Sequence, residues 1–403
     1  MVVLTNNGGG SFGIIKVEYW PNYWGAGIAA ADINGDGKQD IIGGGSSTGT
    51  NAGPRGGGAG WVTLIVVTND GGNGFVQQTM TYTNLSAPMS YPLKAAVSYI
   101  LATNISGGDK PDLILANDTM PGYLTVLTNG GTNFFGVQTN YIVGNNPQCV
   151  VAADVNGDGY PDLICANAGD KTLTVLTNDG TGIFGSNATL KVGGSAYFIA
   201  AADVNGDGSV DLISADYSTN TLTILTNDGS GVFGSNATLV TGTEPTGIVA
   251  ADINGDGYVD LINANSGDNT LTIFTNNGSG VFGSNVTLNV GGGTFGLVAA
   301  DLNGDDKLDL ATASSGTGTL TVLLQTNFST PMLNITSGAS NSVVISWPLL
   351  AYEPSPNFVL LTNSDLTTTN WGFADYLTST NGPTESVTVN PLSGNLFFRL
   401  ISQ

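Results

Sequence analysis

One phrase recurs at a fixed interval through most of this 403-residue chain. Ala-Ala-Asp154-Val-Asn156-Gly-Asp158-Gly-Tyr160-Pro-Asp162-Leu returns in the same frame from Asp203, Asp252 and Asp301, each copy 49 residues after the last. A further intact copy begins at Asp32 and a worn one at Asn104, so six copies occupy residues 32–309. So regular a period makes the folding unit a repeat that cannot bury its faces alone and must stack on its neighbours. The longer interval between the first two copies holds insertions, one of them the Gly/Ser-rich stretch Gly43 to Trp61, which reads as a flexible loop.

A second phrase lies between the Asp motifs, as in Thr-Leu-Thr-Val-Leu176-Thr-Asn-Asp-Gly-Thr-Gly-Ile-Phe184-Gly-Ser-Asn-Ala-Thr-Leu190. Thr alternating with aliphatic residues at period 2 predicts strands, and Asn-Asp-Gly or Asn-Asn-Gly predicts tight hairpin turns with positive φ. Each unit therefore reads as four short strands: one before the Asp loop, one after it, the Thr-rich one, and the one following Phe-Gly. No segment has helical periodicity. Four-stranded sheets repeated at this spacing predict a β-propeller. The Thr-Asn turn phrase occurs at Thr5, Thr68, Thr128, Thr177, Thr226 and Thr275, with a worn copy near Gln325, so the chain is expected to begin in mid-blade. Its first two strands, about residues 2–5 and 12–19, are expected to join the last blade. Six blades is the expected count, with seven as the alternative.

The phrases Asp-x-Asn-x-Asp-Gly-x-x-Asp-Leu and Leu-Thr-Asn-Asp-Gly-x-Gly-x-Phe-Gly resemble the FG-GAP, or integrin-α-like, calcium-binding propeller family, over roughly residues 1–326. The family includes adhesion heads, lectins and surface proteins, so the resemblance implies a fold more than a function. The loop residues themselves argue for a hard cation. Positions 1, 3, 5 and 9 offer side-chain oxygens, position 7 offers a backbone carbonyl, and Gly at position 6 permits the sharp turn, a set suited to Ca²⁺. The expected ligands are Asp32, Asn34, Asp36, Lys38 and Asp40; Asp154, Asn156, Asp158, Tyr160 and Asp162; Asp203, Asn205, Asp207, Ser209 and Asp211; Asp252, Asn254, Asp256, Tyr258 and Asp260; and Asp301, Asn303, Asp305, Lys307 and Asp309. About five Ca²⁺ ions are thus expected. An EF-hand needs a Glu at position 12, where this chain has Cys165, Ser214, Asn263 or Thr312, so the loop belongs in a strand hairpin. The worn copy offers Asn104, Ser106 and Gly108 before Asp112 and is expected to bind no metal. The last copy has Asp306 in place of the position-6 Gly, which predicts strain.

Composition narrows the function classes. Thirty-one acids against nine bases leave a net charge of -22, which makes nucleic acid an improbable partner. The acids are nearly all Asp, the residue suited to turns and to loops around a cation. There is no His, and the four Glu residues are scattered at Glu18, Glu244, Glu353 and Glu385, so Ser-His-Asp chemistry is excluded and the expectation is a protein without enzymatic activity. No stretch approaches the length of a membrane span, and the opening Met1-Val-Val-Leu-Thr-Asn-Asn has no leader pattern, so the chain is expected to be a mature product or to be exported otherwise.

Three further features carry expectations. Tyr19, Trp20, Tyr23 and Trp24 precede the first Asp motif and can either stack on a ligand or fill wedges between blades. Asn187, Asn236 and Asn285 head Asn-x-Thr sequons at corresponding positions of three repeats. Cys149 and Cys165 lie eight residues either side of Gly157, so a regular hairpin sets them opposite each other and a disulfide is expected.

From about Pro331 the repeat stops. Asn341 to Trp347, Asn357 to Leu361, Glu385 to Val389 and Asn395 to Leu400 read as strands of a small β-sandwich, immunoglobulin- or fibronectin-like, over residues 331–403. Its Phe-Phe-Arg-Leu ending resembles C-terminal modules of some secreted bacterial proteins, which implies a role in export or assembly. The combined expectation is all-β: a calcium-stabilised propeller at residues 1–326 and a terminal sandwich. Extracellular or at the cell surface, it would act as a structural or adhesive component that self-associates head-to-tail. The alternative is a lectin-type propeller binding glycans.

Overall fold

The computed structural model describes residues 2–6, 12–17, 23–47, 61–69, 75–82, 96–130 and 135–325, together with seven strands between residues 334 and 402. The chain divides into two compact units, Met1–Gln325 and Thr326–Gln403. The described residues contain strands and no helix.

The first unit is a six-bladed β-propeller. Its blades span residues 23–82, 96–142, 147–191, 196–240, 245–289 and 294–323, and the first five are four-stranded antiparallel meanders. The last is three-stranded, and the N-terminal strands Val2–Asn6 and Phe12–Val17 pair with each other. The expected joining of those two strands to the last blade is absent from the strand pairing among the described residues.

The third blade shows how the sequence produces the meander. Its strands are Pro147–Ala153, Asp162–Asn167, Thr172–Asn178 and Phe184–Lys191. The second strand is buried at every position, because it is central in its own sheet and is covered on both faces by neighbouring blades. The Thr-rich third strand places Leu173, Val175 and Leu176 inside. Hydrophobic clusters therefore form between blades: Cys149, Ile164, Leu173 and Val175 of blade 3 pack with Ala196, Ile199, Leu212 and Leu225 of blade 4. Blades approach so closely at the centre that a Cβ on Gly27 would fall 2.6 Å from Ile100 of the next blade, which restricts this position to glycine. The Asn-Asp-Gly turn is wider than a two-residue hairpin: Asp179 N–H bonds Ile183 O, and positive φ falls on Gly180 and Gly182 instead of on the Asn and Asp.

Register overturns the disulfide. Across the hairpin of the Asp154 loop, Ala153 pairs with Asp162 and Val150 with Cys165, so Cys149 stands opposite Ala166. A one-residue offset sends alternate side chains to opposite faces of a sheet. Cys165 accordingly packs toward blade 2, Cys149 toward blade 4, and both are buried free thiols. Burial pushes the Cys149 thiol up to about 12.

The second unit contains two antiparallel sheets. One has Asn334–Ser337, Val343–Pro348, Thr384–Val389 and Thr378–Asn381 in that order; the other has Gly372–Phe373, Phe358–Asn363 and Phe397–Ser402. Trp347 lies opposite Glu385 in the first sheet, whereas Trp371 and the 326–331 linker fall outside the described residues. Two sheets are what a sandwich requires; their side chains also fall outside the described residues.

Candidate metal centres

Each Asp motif forms the loop joining the first and second strands of its blade, and its hydrogen bonds repeat from blade to blade. In blade 3, Asp154 Oδ1 accepts the N–H groups of Gly157 (2.8 Å) and Asp158 (3.2 Å), and Oδ2 accepts that of Gly159 (2.7 Å). Asn156 Oδ1 accepts Asp158 N–H at 3.0 Å, while its amide donates to Asp158 Oδ2 at 2.9 Å. Asp158 Oδ1 in turn accepts Tyr160 N–H at 2.9 Å. The same web is built on Asp32, Asp203, Asp252 and Asp301. Lys38, Ser209, Tyr258 and Lys307 each donate their N–H to the position-5 Asp, as Tyr160 does. Gly37, Gly159, Gly208 and Gly257 at position 6 take φ between +84° and +89°, a region that disfavours a side chain, and Asp306 is forced to φ +64° there.

Position 9 does something the sequence pattern does not disclose. Asp162 is fully buried; its Oδ2 accepts Val155 N–H at 3.1 Å and its Oδ1 accepts Asn178 N–H at 2.8 Å. The Asn178 side chain then donates to Pro161 O at 3.0 Å and, across the blade boundary, to Ile105 O in the preceding loop at 2.9 Å. Asn227 reaches Val155 O at 2.8 Å, Asn276 reaches Val204 O at 2.7 Å, and Asn129 reaches Ile33 O at 3.0 Å. The Asn of every Thr-Asn phrase so described clamps its own loop to the one before it. Its fixed distance from the Asp motif was the available signal, but alternation with Thr reads only as strand.

The electrostatics of the loops call for positive charge. Burial pushes the Asp162 carboxyl up, the Asn178 and Val155 N–H groups oppose this, and the charges of Asp158 and Asp154 add to the rise. Asp211 stands in the same relation to Asp207 and Asp203, and Asp260 to Asp256 and Asp252. Three carboxylates in each of these loops therefore repel one another. Among the described residues no three acidic or thiol groups meet as a ready cage for a metal. The donor set is accordingly mixed, two exposed or half-buried carboxylates, an Asn amide, a peptide carbonyl and a buried carboxylate, and oxygens such as Asp154 Oδ2 and Asp158 Oδ1, which accept a single N–H each, keep a second lone pair. Such hard oxygens fit a divalent cation of calcium type.

The worn second loop tests which parts are separable. Asn104 replaces the first Asp and donates to Gly108 O, yet Asp112 remains fully buried and accepts the N–H groups of Ile105, Ser106 (both 3.0 Å) and Asn129 (2.7 Å). Position 9 is kept where the exposed carboxylates are gone.

At the opposite end of the blades, Tyr197 and Tyr217 stack at 4.5 Å with 23° between rings. Burial and the carboxylate of Glu244, which accepts the Tyr217 hydroxyl, raise that hydroxyl's pKa. Sequence reasoning passed over this pair, although Gln148 and Ala168 or Thr246 and Ser266 fill the same places in the flanking repeats. Of the expected aromatic group, Tyr23 and Trp24 lie on strand Tyr23–Ala31 opposite Ser47 and Ser46, and Tyr19 and Trp20 fall outside the described residues.

The profile of the FG-GAP-like repeat matches residues 107–165, 154–214, 203–263 and 252–312, just over half of the chain. The chain belongs to the FG-GAP-like repeat family, and each of these four matches runs from one Asp loop through the strand after the next, across two adjacent blades. No curated protein matches it. Among solved structures, a candidate 6-phosphogluconolactonase from Bacteroides uniformis is 10% identical, covers 78% of this chain and 88% of its own, and has a TM-score of 0.52. A functionally unknown protein from Desulfotomaculum acetoxidans is 13% identical (75% and 86% covered, TM-score 0.48). An Agrocybe aegerita lectin that recognises non-reducing terminal N-acetylglucosamine is 19% identical (79% and 76% covered, TM-score 0.45). At such identities only the fold is shared, and the activities in those names stay with those proteins.

Proposed function

We propose that this chain is an extracellular, calcium-stabilised propeller, without enzymatic activity, that serves as a structural or adhesive component and associates with copies of itself. The observation that carries the calcium reading is the set of mutually repelling carboxylates in the Asp154, Asp203 and Asp252 loops, held by a web of backbone N–H groups. Membership of the FG-GAP-like repeat family supports placement outside the cell. Self-association is supported by the last blade. Its strand Thr319–Leu323 carries no outer partner among the described residues, and Leu320 and Leu324 at that edge are 45% and 40% exposed. An open edge beside exposed apolar side chains is the surface on which strands from another copy add. Light scattering of the full chain in Ca²⁺ tests this. Growth of mass with concentration is expected, and a monomer at all concentrations overturns the association. Thermal melting in excess chelator tests the metal separately, because a ligand of the folded state raises its stability by mass action. An unchanged melting temperature overturns the calcium reading.

The glycan-binding alternative has one observation in its favour. The Tyr197 and Tyr217 pair beside Glu244 offers ring faces and a hydrogen-bonding carboxylate at positions where the repeat is broken. Selective binding on a glycan array, lost in Tyr217→Ala, is its expected result.

A further inference from the structure

The five intact loops differ in what borders them. In blades 3 and 4 the position-4 glycine faces the turn of the next blade: a Cβ on Gly157 would lie 3.3 Å from Gly229 O, and one on Gly206 3.0 Å from Gly278 O, whereas one on Gly255 or Gly304 would meet nothing within 4 Å among the described residues. At Gly35, in the Asp32 loop, the neighbour is a lysine. A Cβ there would lie 2.9 Å from Lys110 Cε and 3.6 Å from its Nζ. Gly35 N–H is itself bonded to Asp32 Oδ1 at 2.7 Å, so the ammonium group stands beside the residue that orients this carboxylate.

Lys110 comes from the worn loop, where it fills position 7. In blades 3, 4 and 5 that position lies against the turn glycine of its own blade, Tyr160 on Gly180, Ser209 on Gly229 and Tyr258 on Gly278. The worn loop has no carboxylate at positions 1, 3 or 5 to hold a cation, and its Asp112 is sealed by three backbone N–H groups. The half-buried lysine lies against the preceding blade, whose loop presents Asp32 and Asp36.

We propose that Lys110 is a tethered counter-cation for the Asp32 loop. It makes this loop the weakest calcium site of the five and the one that depends least on metal for its shape. The inference rests on the calcium reading of the loops. Lysine also fills position 7 at Lys38 and Lys307, but only blade 2 combines it with a loop that has lost its carboxylates at positions 1, 3 and 5: this blade gives up its own site and lends a charge to its neighbour's.

The test uses the full chain, stripped of metal and titrated with Ca²⁺ against a competing chromophoric chelator. The wild type is expected to show one weak site beside tighter ones. Lys110→Met is expected to tighten that site on the order of tenfold, from removal of a like charge a few Å away. Lys191→Met, which removes an exposed lysine outside the loops, is the charge control and leaves the isotherm in place. A second readout needs no calcium: hydrogen exchange of the 32–40 segment in excess chelator is faster in Lys110→Met than in wild type. Isotherms of Lys110→Met and wild type that superimpose, or a shift no larger than in Lys191→Met, overturn the role of Lys110 and leave the calcium reading standing. Absence of Ca²⁺ binding by both proteins overturns the two together.

Discussion

Replacing Asn227 by Ala should destabilise the propeller by about 3 kcal/mol, because its side chain serves four backbone groups in two blades at once. Its amide donates to Val155 O at 2.8 Å and Val210 O at 3.1 Å, and its Oδ1 accepts the N–H groups of Gly229 and Gly231 at 3.2 and 3.1 Å. Gly229 lies between exposed Asp228 and Ser230, so water replaces the partner of its N–H at small cost, whereas the Gly231 N–H is buried and is left without one. The two carbonyls lie inside the blade contact, where each orphaned group costs about 1–3 kcal/mol. Asn227→Asp separates hydrogen bonding from volume, since it keeps the size and the acceptor but turns a carboxylate toward two carbonyls; its loss should be at least as large. Urea unfolding followed by circular dichroism measures the total, and hydrogen exchange across residues 150–158 shows whether the damage crosses into blade 3. Ser230→Ala removes only an exposed bond to Asp228 and should cost under about 0.5 kcal/mol. A loss in Asn227→Ala below about 1 kcal/mol, or exchange confined to blade 4, would refute the clamp.

Three other outcomes follow from the same contacts. Asp216 is buried where the flanking repeats carry Asn167 and Asn265, and burial raises its carboxyl although Thr223, Ser214 and the Gly193 and Gly194 N–H groups oppose it. A folded-state value above the unfolded one means stability that is full at acid pH and declines as pH climbs past the ordinary 3.8. Asp216→Asn, able to donate to Thr223 as Asn167 does to Thr174, should therefore gain on the order of 1 kcal/mol at pH 7 and less at pH 4; a pH-independent difference in urea midpoints speaks against this. Asp306→Gly should raise the melting temperature, relieving a φ of +64° worth about 1 kcal/mol, and a lowered one would show that the Asp side chain contributes more than its strain removes. Cys149 and Cys165 should resist thiol reagents in the native chain and both react after denaturation, whereas a mass lower by two hydrogens would restore the disulfide.

What could be read beforehand depended on whether a feature leaves a side-chain period. Alternating Thr and Leu in Thr172–Asn178 reports a strand, and the 49-residue spacing reports stacked sheets, because burial acts on side chains at regular intervals. The loops were visible because Asp154, Asn156, Asp158 and Asp162 are polar at fixed offsets in otherwise apolar surroundings. Register was not visible. Whether Cys149 opposes Cys165 or Ala166 turns on a single residue in the hairpin, and both pairings satisfy the same apolar pattern. The clamp escaped for another reason: its acceptors are backbone carbonyls such as Ile105 O and Val155 O, which every residue type supplies.

The worn loop separates two jobs that the intact motif combines. Residues 1, 3 and 5 of the motif sit at the surface and organise an acidic turn; residue 9 is buried and fixes the Asn that joins neighbouring blades. Blade 2 has lost the first set and kept the second, with Asp112 holding Asn129 and Asn129 holding Ile33 O. Continuity of the ring thus depends on position 9, while the exposed carboxylates are dispensable blade by blade. That division explains how one blade can shed its own acidic loop and still pack at full burial, with Leu113, Ile114 and Leu124 as inaccessible as their counterparts in the intact repeats. It also places any cation-linked property on the rim of the propeller, where adjacent loops meet and where a residue such as Lys110 can reach from one repeat into the next.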